Sequence, residues 1–468
     1  MSIKIKKFYN IGIKNKILNS LNNIGYYKPS LIQSKCIPYL LDGYDILGTA
    51  QTGSGKTAAF ALPLIQKINL KKKKPQVLIL TPTRELAIQI SVFFKSFSKY
   101  IHKIKILALY GGQNYDIQLK KLKNKPQIIV GTPGRLLDHL KRRTLNLSKI
   151  NSLVLDEADE MLRMGFIEDV KLILSKIPYI HQTSLFSATM PKAIKKIAKY
   201  FMRFPKEIKI KSNIKNRPNI NQNYCESNSN KFNTLVKFLE IEEYNAVIIF
   251  VKTKYSTIEI ADNLKHSGYY NSAALNGDMN QNIREMTLKR FKSGYLDILV
   301  ATDIAARGLD IDRVNLVINY DIPMDVESYI HRIGRTGRAG RYGKSLSLIK
   351  KSEYTILKNI KKKTKTNINK ILIPNDNSIS KKRQLYFIQK INKKLLNKNL
   401  YKYKKFFLSI KKYYLDKLIN IKNIKYIILK ISENKKKLVI SSKNIPILNN
   451  KYNYIKSLKY NYKYKSNK

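Results

Sequence analysis

Three stretches of the chain combine residue types that can handle a polyphosphate. The first is Ala50, Gln51, Thr52, Gly53, Ser54, Gly55, Lys56 and Thr57, set between an apolar run and a stretch of helical periodicity. In such a loop, backbone amides hold phosphate oxygens, a lysine in the place of Lys56 reaches the β/γ-phosphates, and the Thr57 hydroxyl ligates Mg²⁺. Ala50 replaces the usual first glycine, and a chance match in a Lys-rich chain is the competing reading; the strand before and the helix after weigh against it. The second stretch, Asp156, Glu157, Ala158 and Asp159, follows the apolar run Leu153 to Leu155. One carboxylate there can hold Mg²⁺ and its neighbour can deprotonate a water, which makes Asp156 the metal candidate and Glu157 the general base. Alone, this stretch would be better read as an acidic turn capping a helix. The third stretch runs from His331 through Arg332, Gly334, Arg335 and Gly337 to Arg338. Closely spaced guanidinium groups from outside the phosphate-loop domain suit a charge-stabilising finger, worth roughly 10³- to 10⁵-fold in rate, although in isolation they would be a solvated basic turn.

Positioning these stretches requires a particular scaffold. From Asp45 to about residue 210, short apolar runs (Ile46 and Leu47, Val77 to Leu80, Ile128 to Val130, Leu153 to Leu155, Ser184 to Phe186) alternate with segments of helical periodicity. That alternation predicts a parallel sheet with helices on both faces, its ligands at the carboxyl ends of the strands. A polar connector is expected over 209–225, carrying Arg217 and Pro218. A second alternating series follows at Val247 to Val251, Ala273 to Leu275, Ile298 to Val300, Leu316 to Ile318 and Ser345 to Ile349, and it has no phosphate loop of its own. The expected fold is therefore α/β: two tandem doubly wound parallel-sheet domains, over 1–208 and 226–350, plus a basic, partly helical C-terminal tail. Within that tail, Leu385, Ile388, Ile391, Leu395 and Leu396 predict amphipathic helix in a segment spanning 351–415, and 416–468 reads as Lys/Tyr-rich and disordered.

The charge points the same way with less force. Ninety Lys+Arg against 31 Asp+Glu give a formal +59, which favours polyanions such as nucleic acid. Abundant Lys, Ile, Asn and Tyr with no Trp also fits drift toward A/T-rich codons, so charge alone names no function. Cys36 and Cys225 stand far apart with no metal-ligand spacing, so neither a disulfide framework nor a zinc site is expected, and a reducing cytoplasm fits. The N-terminus lacks the apolar core of a signal peptide and no run of about 18 apolar residues occurs, so no membrane association is expected.

Taken in order, from Phe8 to about Leu348, these residues resemble the DEAD-box RNA helicase family, and within it the bacterial cold-shock subgroup. The resemblance implies two RecA-like domains. It also implies an adenine-sensing motif over 8–33, in which Gln33 reads the adenine edge and Phe8, Tyr26 and Lys28 line the base, with ATP preferred over GTP. Pro82, Thr83, Arg84, Gly111, Gly112, Thr132, Pro133 and Arg135 take the positions of first-domain RNA contacts; Thr253, Gln281, Arg284, Thr302 and Asp303 take those of the second. Gly308 and Asp310 match a stretch that touches nucleotide as well. Asp159, Ser187, Thr189 and His331 fall at positions coupling hydrolysis to unwinding, and Arg335 and Arg338 at the finger positions. The implied activity is ATP-dependent local unwinding of short RNA duplexes with little sequence specificity, in ribosome assembly, RNA decay or cold adaptation. Ribosomal precursor particles or RNA-decay factors are the implied partners. A homodimer through the helical tail is left open, and an ATP-gated RNA clamp or annealing chaperone is the alternative.

Overall fold

The computed structural model describes residues 7–51, 53–210, 219–227, 230–267, 270–338 and 341–395, with side chains through Leu385. The apolar runs become strands because each is a short block of Val, Ile and Leu bounded by polar or glycine-rich residues, and strands buried on both faces need no polar alternation. The strands of the first lobe are β1 (Ile46–Thr49), β2 (Val77–Leu80), β3 (Ile106–Leu109), β4 (Ile128–Gly131), β5 (Ser152–Asp156), β6 (Gln182–Ser187) and β7 (Lys206–Lys209), of which β3 and β7 were not among the apolar runs. All pairings are parallel, in the order β3-β4-β2-β5-β6-β1-β7. This order sets β5, β6 and β1 side by side. Residues about 30 to 140 positions apart in the chain thus end along one carboxyl edge, where β1 feeds the phosphate loop, β5 ends in Asp156 and β6 ends in Ser187. The ladder continues into the loop, with the Ala50 amide donating to the Ser187 carbonyl at 3.1 Å.

Packing fixes this edge. Phe60 of the helix Lys56–Lys67 lies 5.4 Å from Phe186 and 6.2 Å from Phe94, and all three rings are fully buried. Gly48 in β1 leaves room for the Phe186 ring, which a Cβ there would meet at 2.7 Å.

The second lobe repeats the plan with β8 (Ile220–Glu226), β9 (Val247–Phe250), β10 (Ser272–Leu275), β11 (Ile298–Ala301), β12 (Leu316–Asn319), β13 (Gly343–Ile349) and β14 (Asn369–Lys370), in the order β10-β11-β9-β12-β13-β8-β14. Two boundaries differ from the sequence reading. The connector expected over 209–225 gives way at Ile220 to β8, whose polar run Asn221, Gln222 and Asn223 hides it from a hydropathy scan. The lobe also continues past residue 350. The helix Tyr354–Thr364 buries Leu357 and Ile360 against Tyr329 and Ile333, and β14 adds a final pair to β8.

A second compact unit consists of residues 237–241 with the chain from Pro374 onward. Its described part is the helix Asp376–Leu395, tied to the first segment by Lys237 Nζ to Asp376 Oδ1 at 3.0 Å and Arg383 Nη2 to Glu240 Oε1 at 3.2 Å. One helix therefore begins where amphipathic helix was expected. The further positions, Ile388 to Leu396 and the whole of 416–468, lie outside the described side chains. Among the described residues no helix is long and apolar enough to cross a membrane.

One buried network yields a pH prediction. His139 has no solvent exposure; its Nε2 lies 2.8 Å from Gln118 Oε1 and its Nδ1 2.8 Å from the Thr144 hydroxyl. Because Gln118 Oε1 only accepts, Nε2 carries the proton and the neutral ring uses both nitrogens. Burial, and then nearby Arg135, push its pKa down to about 4. The unfolded chain therefore binds the extra proton first, and stability falls as pH drops from about 6.5 toward 4. Thermal melts across that window should show the loss, and a His139→Gln variant should melt with a shallower pH dependence; equal slopes would remove His139 as the cause.

Candidate active site and nucleic-acid interface

The phosphate loop is held from below by the residue expected to read adenine. Gln33, almost fully buried, donates from Nε2 to the Gly55 carbonyl at 3.0 Å, while its Oε1 accepts from the Ser30 amide at 2.8 Å. Gly55 takes φ +91°, a left-handed turn that a side chain would strain, and a Cβ there would collide with Gln33. Lys56 folds over the loop, its Nζ 2.9 Å from the Ala50 carbonyl. The Ser54 hydroxyl is buried without a partner among the described residues. Gln51 and Gly53 are exposed, Thr57 is half-buried, and Thr52 lies outside the described residues. Around the expected base site, Lys28 is exposed and Tyr26 sits edge-on to Phe97 at 6.0 Å. Phe8 is instead buried in the hydrophobic core.

At the end of β5, Asp156 is buried and takes one backbone hydrogen bond, from the Glu157 amide at 3.0 Å. Burial pushes its carboxyl up to about 7, against the opposing pull of Lys56. Glu157 adopts φ 52°, ψ 49°, a left-handed backbone on a non-glycine residue at a helix start. Strain of this kind costs of order 1–3 kcal/mol and collects at functional sites. Asp159 is the acceptor for both the amide and the hydroxyl of Thr189, at 2.8 and 2.9 Å, and its own amide donates to Ser187 Oγ at 3.3 Å. Burial would raise its pKa, but the bonds from Ser187 and Thr189 and the nearness of His331 hold it below the ordinary carboxylate value. Three of the four expected coupling residues thus meet directly.

The fourth, His331, finds a different partner. Its Nδ1 lies 2.6 Å from Oε1 of Glu160, a carboxylate only 1% exposed that the sequence reading passed over. Arg307 of the second lobe places Nε 2.7 Å from the other oxygen, a close ion pair outside hydrogen-bonding direction, since Oε2 has no hydrogen-bond partner among the described residues. Arg163 adds Nη1 at 3.3 Å and extends across the lobes to Glu327 at 3.2 Å. A buried acid one step beyond a motif gives no periodic signal, so only the three-dimensional pairing finds it.

The finger candidate Arg335 lies within electrostatic reach of Glu157 and Glu160. Arg335 is buried; its Nη1 donates to the Leu309 carbonyl at 2.8 Å and its Nε to the His331 carbonyl at 3.1 Å. Burial and neighbouring Arg338 pull its pKa down to about 10, against the attraction of Glu157, Asp310 and Glu160. Arg338 pairs with Asp310, and its Nη2 is buried without a hydrogen-bond partner among the described residues. Asp310 also accepts from Gln89 of the first lobe at 3.1 Å.

The expected RNA residues divide into two sets. Thr83, Thr132, Thr253 and Thr302 occupy helix N-caps, with Pro133 opening a first turn, so backbone amides cluster at these helix starts. Arg135 reaches the Gln113 carbonyl at 3.4 Å and stacks 5.6 Å from the Tyr115 ring. Pro82 is buried, Gly111 half-buried and Gly112 exposed. The other set is spent inside the protein. Arg84 Nη1 donates to Gln281 Oε1 at 2.8 Å, and Arg284, 7% exposed, pairs with Glu85 and donates to the Asn276 and Ala305 carbonyls. Asp303 is taken bidentately by Arg332 at 2.5 and 2.7 Å. Gln281 and Arg284 thus join the lobes, and Asp303 braces the second. Gly308 nestles against the first lobe, where a Cβ would come within 2.7 Å of Thr83 Oγ1.

Comparison with known proteins follows the same lines. The family described as DEAD/DEAH box helicase matches residues 30–197, and the helicase conserved C-terminal domain matches 230–340. The ATP-dependent RNA helicase DeaD of Buchnera aphidicola subsp. Baizongia pistaciae is 54% identical over 438 residues, 94% of this chain and 72% of that protein. The protein of the same name from Escherichia coli K12 is 52% identical over 434 residues, 92% of this chain and 69% of that protein. Among solved structures, S. cerevisiae Dbp5 bound to RNA and ADP BeF3 superposes with a TM-score of 0.73 at 32% identity, covering 84% of this chain and all of that one. Mss116p bound to ssRNA and AMP-PNP gives 0.71 at 27%, over 84% of this chain and 86% of that one. With two RecA-like lobes matched by these family models and relatives more than 50% identical over most of its length, the chain belongs to the DEAD-box family of ATP-dependent RNA helicases.

Proposed function

We propose that the chain hydrolyses ATP between its two lobes and uses lobe closure to bend and separate short RNA duplexes. The observation that supports this reading is a set of charges within reach of one another: Lys56 acts on Asp156 in the first lobe, and buried Arg335 of the second lobe feels the attraction of Glu157. Lys56 binds the phosphates, Glu157 takes the proton of the attacking water, and Arg335 and Arg338 stabilise charge as the γ-phosphoryl leaves. Arg338 has a buried nitrogen to spare for that task. Asp156 and Thr57 suit Mg²⁺, since the Asp156 carboxyl is buried at a cost that a divalent cation would offset. When bound, Mg²⁺ would neutralise charge on the β- and γ-phosphates.

Helix-start amides and threonines would hold the RNA backbone, which fixes register without reading bases. We place the work in the cytoplasm, on ribosomal precursors or decaying RNA. The test is Glu157→Gln: turnover should fall about 10²- to 10⁴-fold while ATP and RNA still bind. Unchanged turnover would refute the assignment. A strand-displacement assay on a short labelled duplex separates unwinding from the alternative, since ATP-independent annealing without displacement would identify a clamp or chaperone.

Glu160 extends the coupling set. Glu160→Gln leaves Arg307 without its countercharge and weakens the contact with His331, so ATP should bind much as before while the ATP-dependent gain in RNA affinity shrinks about tenfold. RNA titrations with and without a non-hydrolysable nucleotide would show it, and an intact gain would dismiss the role. For the basic tail we propose nonspecific RNA affinity. Because Leu357 and Ile360 belong to the second lobe's core, the truncation must follow Ile373 rather than Ile349. The dependence of log K on log salt should become shallower in the shortened chain; the same slope would assign the tail no part in binding.

A further inference from the structure

At the opposite pole of the first lobe, the amino ends of β1, β6 and β7 carry a second aromatic and cationic surface. Tyr179 is 87% exposed and lies beneath the Arg203 guanidinium, with Cζ 4.3 Å from the ring centroid, and Arg203 Nη2 donates to the Tyr179 carbonyl at 2.9 Å. Beside it, Lys206 Nζ sits 5.0 Å over the Tyr44 ring, which meets Tyr39 edge-on at 5.9 Å. Phe204, between the two cations, is 96% exposed and holds φ 41°. An apolar ring in water on a left-handed backbone has no account in the packing of this lobe.

The platform is rigid. Buried Asp45 accepts the Thr183 amide at 2.7 Å and the Arg203 amide at 2.8 Å, and its carbonyl accepts the Lys206 amide at 2.8 Å. Gln182 bonds the Tyr44 carbonyl at 2.7 Å. Three chain segments are thereby pinned, and the acid at their centre is consumed by backbone amides, leaving Arg203 and Lys206 as outward charges. The β6 strand separates this pole from the edge bearing Ser187 by about 17 Å, at about 3.3 Å per residue. The surface is distinct from the pocket and from the helix starts proposed for RNA.

We propose that this surface is an auxiliary docking site for single-stranded RNA, which holds the flank of a strand whose centre lies in the main groove. Exposed rings offer stacking faces to any base, guanidinium planes add to them, and the cations neutralise phosphates. Protein-binding patches instead deplete lysine and gather their aromatics in a dry centre, whereas here each cation stands over a ring. The proposal rests on the RNA-binding reading above.

Binding of fluorescent oligouridylates of about 8 and about 30 nucleotides to the full chain tests it. A Tyr44→Ala/Tyr179→Ala double variant should bind the long strand about tenfold more weakly and the short strand as before, with ATPase stimulation by the short strand intact. The Tyr44→Phe/Tyr179→Phe variant should retain wild-type affinity for both. Crosslinks from 4-thiouridine placed near one end of the long strand should map to the segment around 179 or 204. Equal long-strand affinity in the alanine variant, an equal loss for both lengths, or displacement of nothing but an acidic peptide would overturn the proposal. Failure of the short strand to stimulate the unmodified chain would sink the helicase reading instead.

Discussion

A carboxylate removed from water must be met by positive charge, and at Glu160 that charge comes largely from the other lobe. Stripping one partner from a buried ion pair costs roughly 3–5 kcal/mol, because the remaining charge stays desolvated. Glu160 belongs to the first lobe, one residue beyond the acidic stretch at the end of β5, while His331 and Arg307 belong to the second. Closure therefore satisfies a charge that an open arrangement must hydrate, and the satisfied acid adjoins Asp159, which grips Thr189. The polar seam thus connects the hydrolytic edge of one sheet to the arginine turn of the other.

The seam is also economical in position. Arg335 is anchored through the carbonyls of His331 and Leu309, so the residue that pairs with Glu160 also holds the side chain proposed as a finger. Moving His331 would move the finger. A two-state lobe arrangement is the element on which such coupling acts, and both the nucleotide wall and the lobe boundary bias it.

How much of this could be read from the chain depends on how local each feature is. The phosphate loop and the acidic strand end were legible because strand, turn and helix lie within about a dozen residues, each with its own periodicity. The strands Ile106–Leu109 and Lys206–Lys209 were missed, the latter because it sits at the sheet edge with charged residues flanking a single buried Ile208. Strand Ile220–Glu226 reads as linker because Asn and Gln fill its middle. The seam was illegible for a deeper reason. Arg84 meets Gln281 across 197 positions and Arg284 meets Glu85 across 199, and no spacing rule reports pairs that only folding creates. Resemblance placed Gln281 and Arg284 near RNA, and the structure adds that their side chains are engaged with the first lobe.

That engagement bears on how RNA and ATP act on each other. Thr83 and Gly112, proposed to hold RNA backbone, adjoin Arg84 and Glu85, which hold Gln281 and Arg284. A strand lying along those helix starts must touch a surface whose shape depends on whether these pairs are made. RNA would then bind more tightly to the closed arrangement, and by linkage closure driven from the nucleotide side must tighten RNA by the same factor by which RNA tightens nucleotide. The equality follows from thermodynamics and needs no pathway of side chains between the sites. What the residues determine is its size, through the number of cross-lobe ion pairs that exist in one arrangement and not in the other.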